Sequence, residues 1–188
     1  IRFKIVSMKS LLLLLLFIPI LGFSQYTAIP DENFEQALIE LGYDKVIDGK
    51  VLTENIDTID TLKIAYQYIS DLTGIEAFNV LTYLDCSKNE LTSLDVSKNT
   101  ALTYLECNDN QLTSLDASSC TALTTLGCSN NQITSLDLSS CTALTTLYCG
   151  ENDLTTLNVS NNTALDWLYC GSNQLTSLNL SKNTALNF

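Results

Sequence analysis

From Leu81 onward the chain repeats itself every 21 residues, and the spacing never slips. LTYLDCSKNELTSLDVSKNTA (81–101) is followed by LTYLECNDNQLTSLDASSCTA (102–122) and LTTLGCSNNQITSLDLSSCTA (123–143). LTTLYCGENDLTTLNVSNNTA (144–164) and LDWLYCGSNQLTSLNLSKNTA (165–185) complete five units, and a sixth begins at Leu186. A unit this short cannot bury its apolar side chains alone. It does so by stacking on its neighbours, so the pattern excludes a closed globule and specifies a solenoid.

Each unit contains two related halves, such as LTYLDCSKN and LTSLDVSKN. In the first half, Leu-x-Cys alternates inward and outward as a short strand does, and successive strands would stack in parallel about 4.8 Å apart. Leu84, Leu105, Leu126, Leu147 and Leu168 then form one inward column, and Leu91, Leu112, Ile133, Leu154 and Leu175 form another. Asn89, Asn110, Asn131, Asn152 and Asn173 stand where the chain leaves the strand. An amide there can satisfy the backbone of a buried corner. Leu94-Asp95-Val96 and its equivalents predict a second parallel ladder, shorter or less regular than the first.

Cysteine also follows the period. Cys86, Cys107, Cys128, Cys149 and Cys170 share one inward position. Parallel side chains in a column fit the disulfide dihedral poorly and do not converge on a metal, so a ladder of buried free thiols is expected, with no metal site and no cofactor. Cys120 and Cys141 instead occupy the second-half corner held by Asn99, Asn162 and Asn183 in other units. A disulfide between these two and a pair of buried thiols both fit the spacing.

The repeated L-x-x-L-x-[L/C]-x-x-N-x-L phrase resembles the leucine-rich repeat. Its 21-residue period with Cys in the sixth position looks like the internalin type of bacterial surface repeat with a cysteine ladder. The segment IPDENFEQALIELGYD is similar to the one that precedes such repeats in secreted bacterial proteins. The resemblance implies a leucine-rich repeat solenoid of short parallel β-strands and turns with an N-terminal α-helical cap. It also implies an adhesion or binding role.

Ahead of the repeats, Phe34, Ala37, Leu38 and Leu41 lie on one helical face, with Asp31 as N-cap and Gly42 as C-terminal stop. This helix is expected to cap the first coil, the irregular segment 61–80. Asp44, Asp48 and Gly49 read as a plain turn, because the alternating oxygen ligands of a calcium loop are missing. Farther upstream, Lys9, the apolar run Leu11 to Phe23 and the small residues Gly22 and Ser24 form a secretory signal, with Met8 as its start and cleavage near Ser24-Gln25. That run is too short to span a bilayer. The expected organisation is therefore 1–24 as upstream residues plus signal peptide and 25–60 as cap. The solenoid then occupies 61–188, with a truncated sixth repeat at 186–188.

Removing residues 1–24 deepens the net charge from −12 to −15, because six Lys then face 21 acids and no Arg or His remains. Such a surface repels polyanions, which argues against a nucleic-acid partner. Without His there is no Ser-His or Cys-His dyad and no imidazole ligand. The strand-lined face is the expected ligand site of a solenoid. Its outward residues include Tyr83, Asp85, Tyr104, Glu106, Tyr148, Trp167 and Tyr169, with Gly150 and Gly171 expected to open space beside the last three. Exposed aromatics of this kind suit a glycan or protein ligand. Asp95, Asp116 and Asp137 line the second ladder; a turn role is preferred over Ca²⁺ binding because Asn158 and Asn179 continue the series. The expected function is a non-catalytic, monomeric, secreted or surface-displayed binding module. The rival reading is a targeting or structural segment of a larger secreted enzyme whose catalytic domain lies beyond Phe188.

Overall fold

The computed structural model describes residues 25–187. The signal-peptide reading of residues 1–24 lies outside the described residues, as does Phe188.

The repeats form a parallel β-solenoid. Its main sheet has six three-residue strands: β3 (Thr61–Lys63), β4 (Tyr83–Asp85), β5 (Tyr104–Glu106), β7 (Thr125–Gly127), β9 (Thr146–Tyr148) and β10 (Trp167–Tyr169). They lie side by side in chain order, each joined to the next by one turn of the coil, and Leu62, Leu84, Leu105, Leu126, Leu147 and Leu168 are register partners down the stack. Parallel pairing continues past the strands. The Cys86 N–H donates to Glu106 O at 2.8 Å and the Lys88 N–H to Asn108 O at 2.9 Å. The second ladder is shorter, as expected: β6 (Leu115–Asp116) pairs with β8 (Leu136–Asp137), and Asp95 bridges to Asp116.

Between the ladders lies one continuous core. The columns headed by Leu81, Leu84 and Leu91 are fully buried until the last coil, where Leu168, Leu175 and Leu186 are only partly covered. A stacked column has a physical consequence: each Leu seals the one before it, so its burial depends on the next coil being present.

The corner asparagines close the coils. Asn110 Oδ1 accepts the Leu91 N–H at 3.0 Å, while Nδ2 donates to the carbonyls of Cys86 and Cys107, both at 3.1 Å, and of Asn108 at 3.2 Å. Asn152 repeats the set with Ile133, Cys128, Cys149 and Gly150. The residue before each corner is left-handed: Lys88, Asp109, Asn130, Glu151 and Ser172 all have φ of 54–55°. No glycine marks these positions; Asp109 and Asn130 are of the types that tolerate this conformation, while Lys88, Glu151 and Ser172 give no local signal for it.

The second corner is built more sparsely. Asn162 Nδ2 donates to Leu138 O at 3.0 Å and Cys141 O at 2.8 Å, and its buried Oδ1 has no protein partner. Cys120 and Cys141 fill the same corner as free, buried thiols, with Cys141 Sγ 3.5 Å from Ala117 O. Of the two readings of this pair, the structure shows thiols.

Helix α1 (Glu32–Glu40) begins at Asp31, whose Oδ1 accepts the Phe34 N–H at 2.9 Å. It ends at Gly42, φ 84°, where the Tyr43 and Gly42 N–H groups return to Leu38 O and Ile39 O. Phe34 stacks on Phe78 of the first coil, with centroids 6.5 Å apart. Asp31 Oδ2 also accepts from the Ser70 and Asp71 N–H groups and from Ser70 Oγ, pinning the helix to that coil. An antiparallel pair, β1 (Tyr26–Ala28) and β2 (Lys50–Leu52), completes the cap. The Asp48-Gly49 turn is held by the buried Glu35 carboxylate, which accepts the N–H groups of Asp48, Gly49 and Lys50, each at 3.0 Å. Gly74, φ 105°, starts the 3₁₀ turn Ile75–Ala77 and sits against the cap, where a Cβ would fall 2.6 Å from Ala28 O.

Candidate functional site

Strand register sorts the outward side chains of the main sheet into two rows. The first runs Thr61, Tyr83, Tyr104, Thr125, Thr146, Trp167; the second runs Lys63, Asp85, Glu106, Gly127, Tyr148, Tyr169. All seven residues expected on the ligand face lie in these rows. Their environments divide them into two groups.

Tyr83 and Tyr104 pack on each other, with ring centroids 4.2 Å apart and planes 5° from parallel. The Lys63 ammonium lies 5.3 Å from the centre of the Tyr83 ring. Both tyrosines are half-buried, so much of their aromatic surface serves cross-strand packing. The neighbouring acids are engaged as well. Asp85 Oδ1 accepts the Ser87 N–H at 3.1 Å and Ser87 Oγ–H at 2.6 Å. Glu106 accepts from the Tyr104 hydroxyl and from Asn108 Nδ2. Burial and the Glu106 carboxylate hold the Tyr104 phenol well above its ordinary pKa, so it stays protonated.

The second group is open. Tyr148, Trp167 and Tyr169 are 37%, 45% and 42% exposed on adjacent strands. Tyr148 and Tyr169 are register partners, yet the Tyr169 ring leans over Gly150, where a Cβ would fall 2.1 Å from Cε1. This corrects the sequence expectation: Gly150 is a seat for Tyr169 and adds no free space beside the aromatics. Gly171 leaves more room, with the same ring 3.5 Å away. Gly127 is likewise a seat, for the Asn108 amide, which accepts the Ser129 N–H at 2.7 Å. Half-buried Thr125 and Thr146, and Gly127 buried under the Asn108 amide, separate the Tyr83–Tyr104 stack from the three exposed rings.

Along the second ladder run concavities of about 420, 410 and 310 Å³, the first two sharing Ser93 and Asp95 and the last two Ser114 and Asp116. The acids there have a local task. Asp95, Asp116 and Asp137 each accept the N–H two residues on, from Ser97, Ser118 and Ser139, at 2.9 Å. Asn158 and Asn179 do the same for Ser160 and Ser181. Hydrogen bonds to Ser97, Ser118 and Ser139 lower the three carboxyl pKa values. Among the described residues, no group of three or more His, Cys, Asp or Glu is placed to hold a metal ion.

The first-ladder thiols Cys86, Cys107, Cys128 and Cys149 are buried, and Cys170 is partly covered. Burial pushes Cys128 up to about 12 and Cys120 to about 11. Thiols held this far from the thiolate are packing groups and poor nucleophiles. Cys86 and Cys107 also direct Sγ at Glu106 O and Gly127 O, at 3.4 and 3.3 Å. Two features of the face had no sequence signal: the ring seat at Gly150, and the split of one aromatic series into a packed pair and an open trio.

The family described as Leucine Rich repeats (2 copies) matches residues 121–166. Internalin J of Listeria monocytogenes serotype 4b (strain F2365) is 39% identical over 71 residues, which is 38% of this chain and 8% of that protein. Among solved structures, an internalin (inlF) from Listeria monocytogenes superposes with a TM-score of 0.79 at 22% identity, over 85% of this chain and 48% of that one. A Leptospira interrogans leucine-rich repeat protein gives 0.60 at 23% identity, over 70% and 36%. The chain thus spans half or less of the length of these relatives. Among the described residues, no helix is long and apolar enough to cross a membrane.

Proposed function

We propose that this internalin-like leucine-rich repeat chain is a non-catalytic binding module, secreted or displayed at a bacterial surface. Its ligand, a protein or a glycan, docks on the strand-lined face. The observation that carries this reading is the exposure of Tyr148, Trp167 and Tyr169 on adjacent strands of a rigid parallel sheet. Large rings held on a fixed scaffold contribute contact area with little loss of side-chain freedom on binding.

The chemistry of the face supports binding over catalysis. The chain has no His, six of its seven thiols are buried, and Asp85 and Glu106 are engaged by neighbouring donors. Leucine-rich repeat domains commonly bind proteins, and the internalin-like relatives are generally non-catalytic.

The test is binding of the purified chain to peptide and glycan arrays, beside Tyr148→Ala/Trp167→Ala. The double variant is expected to keep its circular dichroism spectrum and lose the ligands. Ligands retained at full strength by the double variant would overturn the reading.

A further inference from the structure

The chain carries cations as well as aromatics, and the two are distributed unevenly along it. At the N-terminal end the chain supplies its own positive charges. Lys63 Nζ lies 5.3 Å from the Tyr83 ring centre, with Asp85 as the register partner of Lys63. Lys88 Nζ lies 4.6 Å from the ring of Tyr66, and Lys50 Nζ 5.2 Å from that of Tyr26. Ammonium on tyrosine, with a carboxylate nearby, is therefore a contact this fold already makes several times.

Between Lys98 and Lys182 the chain supplies no cation of its own. Residues 99–181 contain seven acids and no Lys, Arg or His. Tyr148, Trp167 and Tyr169 lie in this stretch, with exposed Asp166 immediately before β10 and exposed Glu151 and Asp153 in the turn after β9. In the second row, Glu106 stands two strands from Tyr148 across Gly127, about 10 Å at parallel-strand spacing. A π-face in a negative field attracts a cation through both the ring quadrupole and the net charge.

We propose that the open trio Tyr148, Trp167 and Tyr169 takes Lys or Arg side chains from a basic segment of a protein partner. This deepens the functional reading above and rests on it: the face is the same, and the ligand class is narrowed from protein or glycan to a cationic polypeptide. The rings provide the docking contacts, and Glu106, Glu151, Asp153 and Asp166 provide the complementary charge. A neutral sugar would use the rings and leave that charge unmatched.

Trp167 is the chain's single tryptophan, so its emission reports on the site directly. The probe is hexalysine, titrated against the chain at low salt, with fully acetylated hexalysine and cellohexaose as uncharged comparisons. Hexalysine is expected to change Trp167 emission saturably, and neither neutral probe should do so. Affinity should fall about tenfold in Tyr148→Ala/Tyr169→Ala, which removes two ring contacts. It should fall further with rising ionic strength, as the screening length shrinks from about 30 Å at 0.01 M to about 3 Å at 1 M. Asp116→Asn/Asp137→Asn, on the other ladder, should stay within about twofold of the unmodified chain.

An emission change with cellohexaose and none with hexalysine would overturn the cationic assignment and leave the face as a binding site. An equal loss in Asp116→Asn/Asp137→Asn would overturn it by moving the cation to the other ladder. No response to hexalysine would also overturn it. The functional reading itself falls only if array ligands survive Tyr148→Ala/Trp167→Ala.

Discussion

Replacing asparagine by cysteine should be costly at one corner of the coil and nearly neutral at the other. At Asn152 the amide satisfies four backbone groups: it accepts from the Ile133 N–H at 2.9 Å and donates to Cys128 O, Cys149 O and Gly150 O at 2.9–3.2 Å. Asn152→Cys leaves the buried Ile133 N–H without an acceptor, which alone costs about 1–3 kcal/mol, and removes donors from three carbonyls at about 1 kcal/mol for each net bond. Some carbonyls keep strand or turn partners, so about 3–4 kcal/mol is the expected total. At Asn162 the amide makes two bonds, its Oδ1 is already buried without a partner, and Cys120 and Cys141 show that a thiol fits there. Asn162→Cys should cost about 1 kcal/mol, because two carbonyl bonds are lost while one unsatisfied oxygen is removed. At about 2–4 °C per kcal/mol for a chain of this size, melting under reducing conditions should fall by about 6–16 °C in the first variant and by about 2–4 °C in the second. Equal losses in the two variants would show that the corner hydrogen bonds do not distinguish the two halves of the coil.

Three further outcomes follow from the same geometry. Thiol titration should find little reaction in the folded chain at pH 8 and all seven cysteines after unfolding without reductant; two or fewer would mean that the ladder is oxidised. Burial alone would raise the Asp31 pKa, but its hydrogen bonds from Ser70, Phe34 and Asp71 outweigh burial and lower it. Its contribution to stability is thus complete above its unfolded pKa of about 3.9 and lost as pH falls through the lower folded value. Asp31→Asn should accordingly flatten the acid limb of the melting curve, and an unchanged limb would refute the pinning role. Gly74→Ala places a methyl 2.6 Å from Ala28 O at a φ of 105°, so urea denaturation should show a loss of about 2–4 kcal/mol, and a loss under about 1 kcal/mol would refute the close contact.

Much of the fold was legible because the period forces each residue type into the same environment in every coil. The Leu columns, the corner Asn residues, and the Asp31 and Gly42 ends of the helix were all readable from spacing. The Asp95, Asp116 and Asp137 turns were readable because Asn replaces Asp later in the series without loss of the acceptor. Features that depend on contacts across the chain were not readable. Tyr26–Ala28 is too short to announce a strand, and Glu35 carries no sign that it will hold a loop 13–15 residues away. The arrangement of the outward side chains in two rows was legible, since strand alternation fixes which side chains point outward. Its division was hidden, because whether a ring packs on its neighbour or leans over a glycine is decided by rotamers.

Hydroxyl-radical footprinting of the chain saturated with an array-selected ligand is the most direct test of the account. The prediction is protection of Tyr148, Trp167 and Tyr169, with Tyr26, Tyr66 and Tyr68, exposed elsewhere, labelled as in the free chain. Protection centred on Tyr66 and Tyr68, with the C-terminal rings unchanged, would contradict it.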